Sequence, residues 1–167
     1  MSGRFLGSAA ILALIILGAA IAQQAPEPPP QPIQFSHKAH AGTAKIQCKM
    51  CHPSPDPGEY MRIAAASVCL QCHSAIKTDS PDIVKLAEFA KEERPVPWNP
   101  VYKIPSFVFF SHRAHIAAGH DCKQCHGDVT QRDALFRETD ISMNGCMNCH
   151  TKFKASNGCS FCHELQR

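Results

Sequence analysis

The chain has 167 residues, 44% of them hydrophobic and 7% aromatic, with 17 Lys and Arg against 14 Asp and Glu for a formal charge of +3. The basic residues are scattered, without the run or stripe that a nucleic-acid surface requires, so that class of partner is excluded. Thirteen prolines, nine glycines and ten cysteines speak against long regular helices or a sheet around an ordinary apolar core.

Residues 1–22 read as an export segment. Arg4 gives a short positive start, Phe5 to Ala22 is an apolar run, and Ala20-Ile21-Ala22 is a cleavage-site pattern before Gln23. The same run is just long enough to span a bilayer if it is kept. A cleaved signal peptide and a retained membrane anchor are both open, and either places the rest of the chain outside the cytoplasm. Residues 23–34 form a Pro-rich tether (Pro26, Pro28, Pro29, Pro30, Pro32), expected to be extended and semi-rigid.

Residues 35–80 contain Phe35-Ser-His37-Lys-Ala-His40 and two Cys-x-x-Cys-His motifs, Cys48–His52 and Cys69–His73, separated by a loop around Pro53 to Gly58. Residues 81–106 are a helix followed by a Pro-rich connector. Ser80 is a good N-cap, Pro81 fits the first turn, Asp82 suits the dipole and Pro95 stops the element. Ile83, Leu86, Ala87 and Ala90 make its apolar face. Residues 107–167 begin with Phe107-Val-Phe-Phe110, expected as a short strand. Phe110-Ser-His112-Arg-Ala-His115 follows, then three more motifs, Cys122–His126, Cys146–His150 and Cys159–His163. Thr130 to Thr139 is expected to form one short helix.

The five motifs use all ten cysteines: Cys48, Cys51, Cys69, Cys72, Cys122, Cys125, Cys146, Cys149, Cys159 and Cys162. Cys-x-x-Cys-His is the attachment pattern of c-type haem, with two thioethers to the macrocycle and the adjacent histidine on the iron. Zinc sites also use Cys-x-x-Cys, but nothing in them demands a histidine after every second cysteine. A disulfide scaffold has no reason for so uniform a spacing. The expected cofactors are five covalently bound haem c groups, with His52, His73, His126, His150 and His163 as the proximal ligands.

Five histidines remain, matching five distal positions: His37, His40, His112, His115 and His120. The first four lie in the repeated Phe-Ser-His-x-x-His, where histidines three apart leave one helical turn from neighbouring points and can serve different irons. The fifth distal ligand is open between His120, two residues before Cys122, and Met143, three before Cys146. A thioether there would raise the potential relative to imidazole. Met61, a weaker third candidate, is read as packing, and Trp98 is expected to pack on a haem.

Removing residues 1–22 leaves about 145 residues, roughly 29 per haem, too few for an apolar core besides. The expected fold is a small multihaem cytochrome, mostly short helices and coil wrapped around five haems, with little sheet. Without its cofactors such a chain is expected to be largely unfolded.

The histidine pair ahead of Cys-x-x-Cys-His resembles the class III multihaem cytochromes, the c3 and c7 group, and residues 107–167 look like a three-haem c7 unit. The resemblance implies that His37 opposes His52, His40 opposes His73, His112 opposes His126, and His115 opposes His150. The c7 pattern has a histidine just before its middle motif for the last haem. Here that stretch is Ile141-Ser-Met143-Asn-Gly-Cys146, a departure that leaves the last distal ligand open. Cys72-His-Ser-Ala-Ile-Lys-Thr-Asp-Ser-Pro81, Pro97-Trp-Asn-Pro-Val-Tyr102 and Phe107-Val-Phe-Phe-Ser-His112 are similar to the pentahaem subunit of alternative complex III and related quinol-oxidising membrane complexes. That family has Met at the position of Met143.

This resemblance implies a membrane-associated, non-enzymatic electron carrier on the periplasmic side. It would work with iron–sulfur or molybdopterin-like subunits, quinol-binding membrane subunits and a cytochrome acceptor. A free periplasmic or extracellular shuttle, and a nitrite- or hydroxylamine-type multihaem reductase, are the alternatives. The reductase needs one iron with an open axial position.

Overall fold

A computed structural model of the chain describes residues 26–53 and 61–163, so residues 1–22, expected as an export signal or anchor, most of the loop after Pro53 and the last four residues lie outside the described residues. The described α-helices are short: α1 (Cys48–Cys51), α2 (Ala66–His73), α3 (Pro81–Lys91), α4 (His112–Ala117), α5 (Cys122–His126), α6 (Met143–Phe153) and α7 (Cys159–Cys162). A π-helical turn, Lys38–Thr43, and a 3₁₀ turn, Val129–Gln131, complete the regular structure.

Local chemistry explains the boundaries. Ser111, Asp121 and Ser142 cap α4, α5 and α6 by accepting from the backbone N–H groups of Ala114, Gln124 and Gly145, which satisfies donors a helix start leaves free. Ser80 caps α3 without a side-chain bond, and Pro81 supplies the first position, where no N–H is needed. Helix α3 ends at Lys91, four residues before Pro95. Its buried face is Leu86 and Phe89, with Ile83 and Ala90 at the margin. Phe89 was not among the positions expected from the sequence.

Two expected elements do not form. Thr130 to Thr139 is not a helix: after the 3₁₀ turn the chain is irregular to Asp140. Its polar groups are committed elsewhere, with the Arg132 carbonyl accepting from Lys38 N–H at 2.9 Å and Glu138 N–H donating to the Tyr102 hydroxyl at 3.0 Å. Phe107 to Phe110 is not a strand but a single antiparallel bridge between Val108 and His163, reinforced by Phe109 N–H to the Cys162 carbonyl at 2.8 Å. A turn closed on the Pro105 carbonyl precedes it and the Ser111 cap follows, so no length remains for a ladder.

Among the described residues the buried hydrophobic side chains are Ile33, Ala66, Leu86, Phe89 and Val96, and none of them is fully sealed. They join α2 and α3, and Trp98 packs against them with its ring edge-on to Phe35 at 6.4 Å. This small cluster belongs wholly to residues 33–98. The C-terminal part has large apolar side chains in the open instead, Phe107 at 68% and Phe161 at 69% exposure among them. Apolar surface on that scale marks something that covers it.

The end of the Pro-rich segment is docked. The Gln31 side chain brackets the Asn99 backbone with two bonds of 2.8 and 3.0 Å, Lys85 donates to the Pro32 carbonyl at 2.8 Å, and Ile33 enters the core. The π-helical turn lies on the 3₁₀ turn, tying residues 36–43 to 129–133 through Lys38 N–H to Arg132 and Ser36 Oγ–H to Asp133 at 2.7 Å. Gly42 permits that approach: a Cβ there would fall on the Thr130 carbonyl oxygen.

Candidate functional site

Each Cys-x-x-Cys occupies one helical turn, in α1, α2, α5, α6 and α7 respectively. Residues three apart in a turn share a face, so both sulfurs of a motif are presented together and the histidine follows at the end of the turn. None of the ten cysteines is buried and none is paired in a disulfide.

The structure brings eight histidines together in four pairs. Ring centroids are 6.2 Å apart for His37 and His52, 6.0 Å for His40 and His73, 6.3 Å for His112 and His126, and 6.1 Å for His115 and His150. These separations are too wide for stacking contact and share one value. A metal–imidazole bond of about 2.0 Å and about 1.1 Å from nitrogen to ring centre, counted on both sides, put two centres about 6.2 Å apart across a single ion. Two imidazoles are too few for a bare divalent ion, and among the described residues no three His, Cys, Asp or Glu side chains converge as such an ion would need. The donor set fits a metal whose remaining positions are filled by a macrocycle, with thiols at hand for thioethers.

Six of the imidazoles are oriented through one ring nitrogen. Six donate Nδ1–H to a backbone carbonyl: His40 to Ser36 and His115 to Ser111 at 2.8 Å, His52 to Arg62 at 3.1 Å, His73 to Ile76 at 2.9 Å, His150 to Ser156 at 2.6 Å, and His163 to Phe107 at 3.3 Å. A carbonyl can only accept, so Nδ1 carries a proton and Nε2 is the nitrogen left for a metal. His37 has a buried Nδ1 without a hydrogen-bond partner. Burial first, then the charges of His52 and His40, push its pKa down to about 4. Burial, then His112 and His52, lower His126 as well. Both rings are thereby held in the neutral form a metal requires.

His163 has no imidazole across from it; its ring neighbour is Phe107, at 6.0 Å and 27°. His120 is engaged elsewhere, its Nδ1 on Gln124 Oε1 at 2.7 Å and its ring edge-on to Phe153 at 4.7 Å. Met143 opens α6 with 68% of its surface exposed, one turn before Cys146.

Neighbouring motifs influence one another. After burial, Cys51 raises the Cys69 thiol, Cys149 and Cys146 raise Cys125, and Cys162 raises Cys146. His52 acts on His126 across the contact between the π-helical and 3₁₀ turns. The second motif thus lies beside the first, the fourth beside the third and the fifth beside the fourth.

Tyr102 is a site residue that the sequence reading did not single out. Its ring meets His126 edge-on at 4.7 Å, and its hydroxyl donates to the Cys125 carbonyl at 2.9 Å and accepts from Glu138 N–H. Nothing in spacing marks an aromatic twenty residues upstream of a motif. The carbonyls of Arg62, Ile76, Ser156 and Phe107 are likewise silent in sequence because any residue carries one.

Comparison with known proteins agrees with this chemistry. The model of the class III cytochrome c family matches residues 18–96. The multihaem cytochrome c subunit of menaquinone reductase from Nitratidesulfovibrio vulgaris (strain Hildenborough) is 30% identical over 161 aligned positions, covering 80% of this chain and 77% of the relative.

Proposed function

This chain belongs to the class III cytochrome c family, and we propose that within it the protein is an exported five-haem electron carrier serving a quinone-linked membrane complex. Membership makes it a multihaem electron-transfer protein with covalent haem c. The finer reading is carried by the four imidazole pairs at 6.0–6.3 Å, each joining a motif histidine to a histidine of the Phe-Ser-His-x-x-His repeat.

Cys48 and Cys51 would hold the first haem, with His52 and His37 on its two faces. Cys69 and Cys72 would hold the second between His73 and His40. Cys122 and Cys125 take the third between His126 and His112, and Cys146 and Cys149 the fourth between His150 and His115. Cys159, Cys162 and His163 hold the fifth. Met143 is the favoured sixth ligand there, because it precedes Cys146 by one turn and Cys146 neighbours Cys162; His120, whose Nδ1 is bonded to Gln124 and whose Nε2 is left over, is the alternative. Haem c, when bound, supplies one-electron redox chemistry at its iron. The chain's part would be to supply imidazoles on both sides of four of these irons, so that no face is left there for a substrate, and to orient six of the imidazoles through their Nδ1 bonds. Tyr102 braces the third motif from behind.

The relative is named as a subunit of a menaquinone reductase. Carried to this chain, that name favours a quinone-reducing complex with electron flow toward the quinone, while iron–sulfur or molybdopterin-like and quinol-binding membrane subunits are the partners the sequence resemblance implies. That direction is the reverse of the quinol oxidation the sequence resemblance implied. Residues 1–22, with Arg4 ahead of an apolar run, support export and attachment to the outer face of the membrane.

The test is to purify the protein from membranes in detergent and measure its intact mass with its pyridine haemochrome spectrum. Five haem additions and co-elution with membrane subunits are expected. Fewer than five haems, or a lone protein in the membrane-free fraction, would overturn the count or the complex respectively.

A further inference from the structure

Each Phe-Ser-His-x-x-His repeat sets one phenylalanine ring against two imidazoles. Phe35 meets His37 edge-on, with centroids 4.9 Å apart and planes at 82°, and meets His40 face-on, at 4.4 Å and 19°. Phe110 treats His112 and His115 the same way, at 4.8 Å and 86° and at 4.8 Å and 29°. The face-on imidazole is held a second time, by its Nδ1–H bond of 2.8 Å to the carbonyl four residues back, on Ser36 or Ser111. A ring with a partner on its face and a hydrogen bond in its plane has no free rotation left.

The pairs divide accordingly. The edge-on histidines make near-parallel pairs, 2° for His37 with His52 and 11° for His112 with His126. The face-on histidines make tilted pairs, 54° for His40 with His73 and 40° for His115 with His150. The same split in two separate repeats points to the shared residue, the phenylalanine.

We propose that Phe35 and Phe110 are positioning residues that hold His40 and His115 out of plane with their partners and so sort four of the irons into two electronic classes. The inference rests on the reading of the four pairs as axial ligands. An imidazole donates through the π orbital normal to its plane. Parallel planes direct both donations into one iron d orbital and split it from its neighbour. Tilted planes share the donation between two d orbitals and narrow the gap.

Low-temperature electron paramagnetic resonance of the oxidised, haem-loaded full chain tests this. The tilted pairs should give two low-spin ferric signals that are more axial, with larger gmax, than the two rhombic signals of the parallel pairs. Phe35→Leu should move one large-gmax signal toward the rhombic form and Phe110→Leu the other, with haem content unchanged. Phe35→Tyr keeps the ring and should keep the signal, which separates ring contact from general loss of packing. One class for all four low-spin irons, or leucine variants that leave both large-gmax signals in place, would overturn the proposal. The wild-type spectrum decides the existence of two classes even where a leucine variant fails to accumulate. A high-spin signal amounting to more than one iron in the wild type would sink the ligand reading instead.

Discussion

Replacing Gly42 by alanine tests the joint between the two parts of the chain. A Cβ at Gly42 would fall on the Thr130 carbonyl oxygen, a backbone atom in the 3₁₀ turn that cannot swing aside as a flexible side chain would. The turns must separate, straining the Lys38 N–H bond to Arg132 and the Ser36 bond to Asp133. Overpacking of this kind costs about 1–3 kcal/mol, and a lost backbone hydrogen bond adds about 1 kcal/mol. Gly42→Ala is therefore expected to destabilise the haem-loaded protein by roughly 2–4 kcal/mol. Gly119→Ala is the control: its φ of +88° is strained for alanine, but nothing lies within 4 Å of a Cβ there. Conformation alone makes that change cost about 1–2 kcal/mol. Guanidinium unfolding followed by far-UV circular dichroism, with midpoints compared at constant m-value, reads both. If Gly42→Ala proves no more damaging than Gly119→Ala, the close approach of the turns is not what joins them.

His37→Ala removes the imidazole opposite His52, and one iron of the set should turn high-spin and recover a low-spin spectrum when free imidazole is added; an unchanged low-spin spectrum would contradict the pairing. Met143→Leu removes the favoured thioether, so a high-spin fraction of one iron is expected by visible and resonance Raman spectra, whereas His120→Ala should leave the spectrum alone; the opposite result would exchange their roles. Tyr102→Phe gives up the bonds to the Cys125 carbonyl and from Glu138 N–H, and should cost about 1–2 kcal/mol in the same unfolding experiment with haem content unaltered. A loss within error would remove Tyr102 from the bracing of the third motif.

The site was more legible in the sequence than the chain around it, for a physical reason. Thioether attachment ties two cysteines and a histidine into one helical turn, so spacing along the chain is also spacing in space, and all five motifs form that turn. The Phe-Ser-His-x-x-His repeat is equally local. The stretch from Thr130 to Thr139 has adequate helix formers but loses to tertiary demand, since the Arg132 carbonyl and the Glu138 N–H are taken by Lys38 and Tyr102. Such partners, dozens of residues away, leave no periodic trace. Proline content likewise predicted an extended segment before Phe35, but not that Gln31 would bracket Asn99 or that Ile33 would enter the core. The docking depends on complementary groups that composition does not encode.

The contact of the π-helical turn with the 3₁₀ turn sets the segment that carries His37 and His40 against the segment that follows the third motif. On the function proposed above, charge passing between the two-motif part and the three-motif part would cross at this seam. Loosening the seam would then slow that crossing while every centre stayed intact.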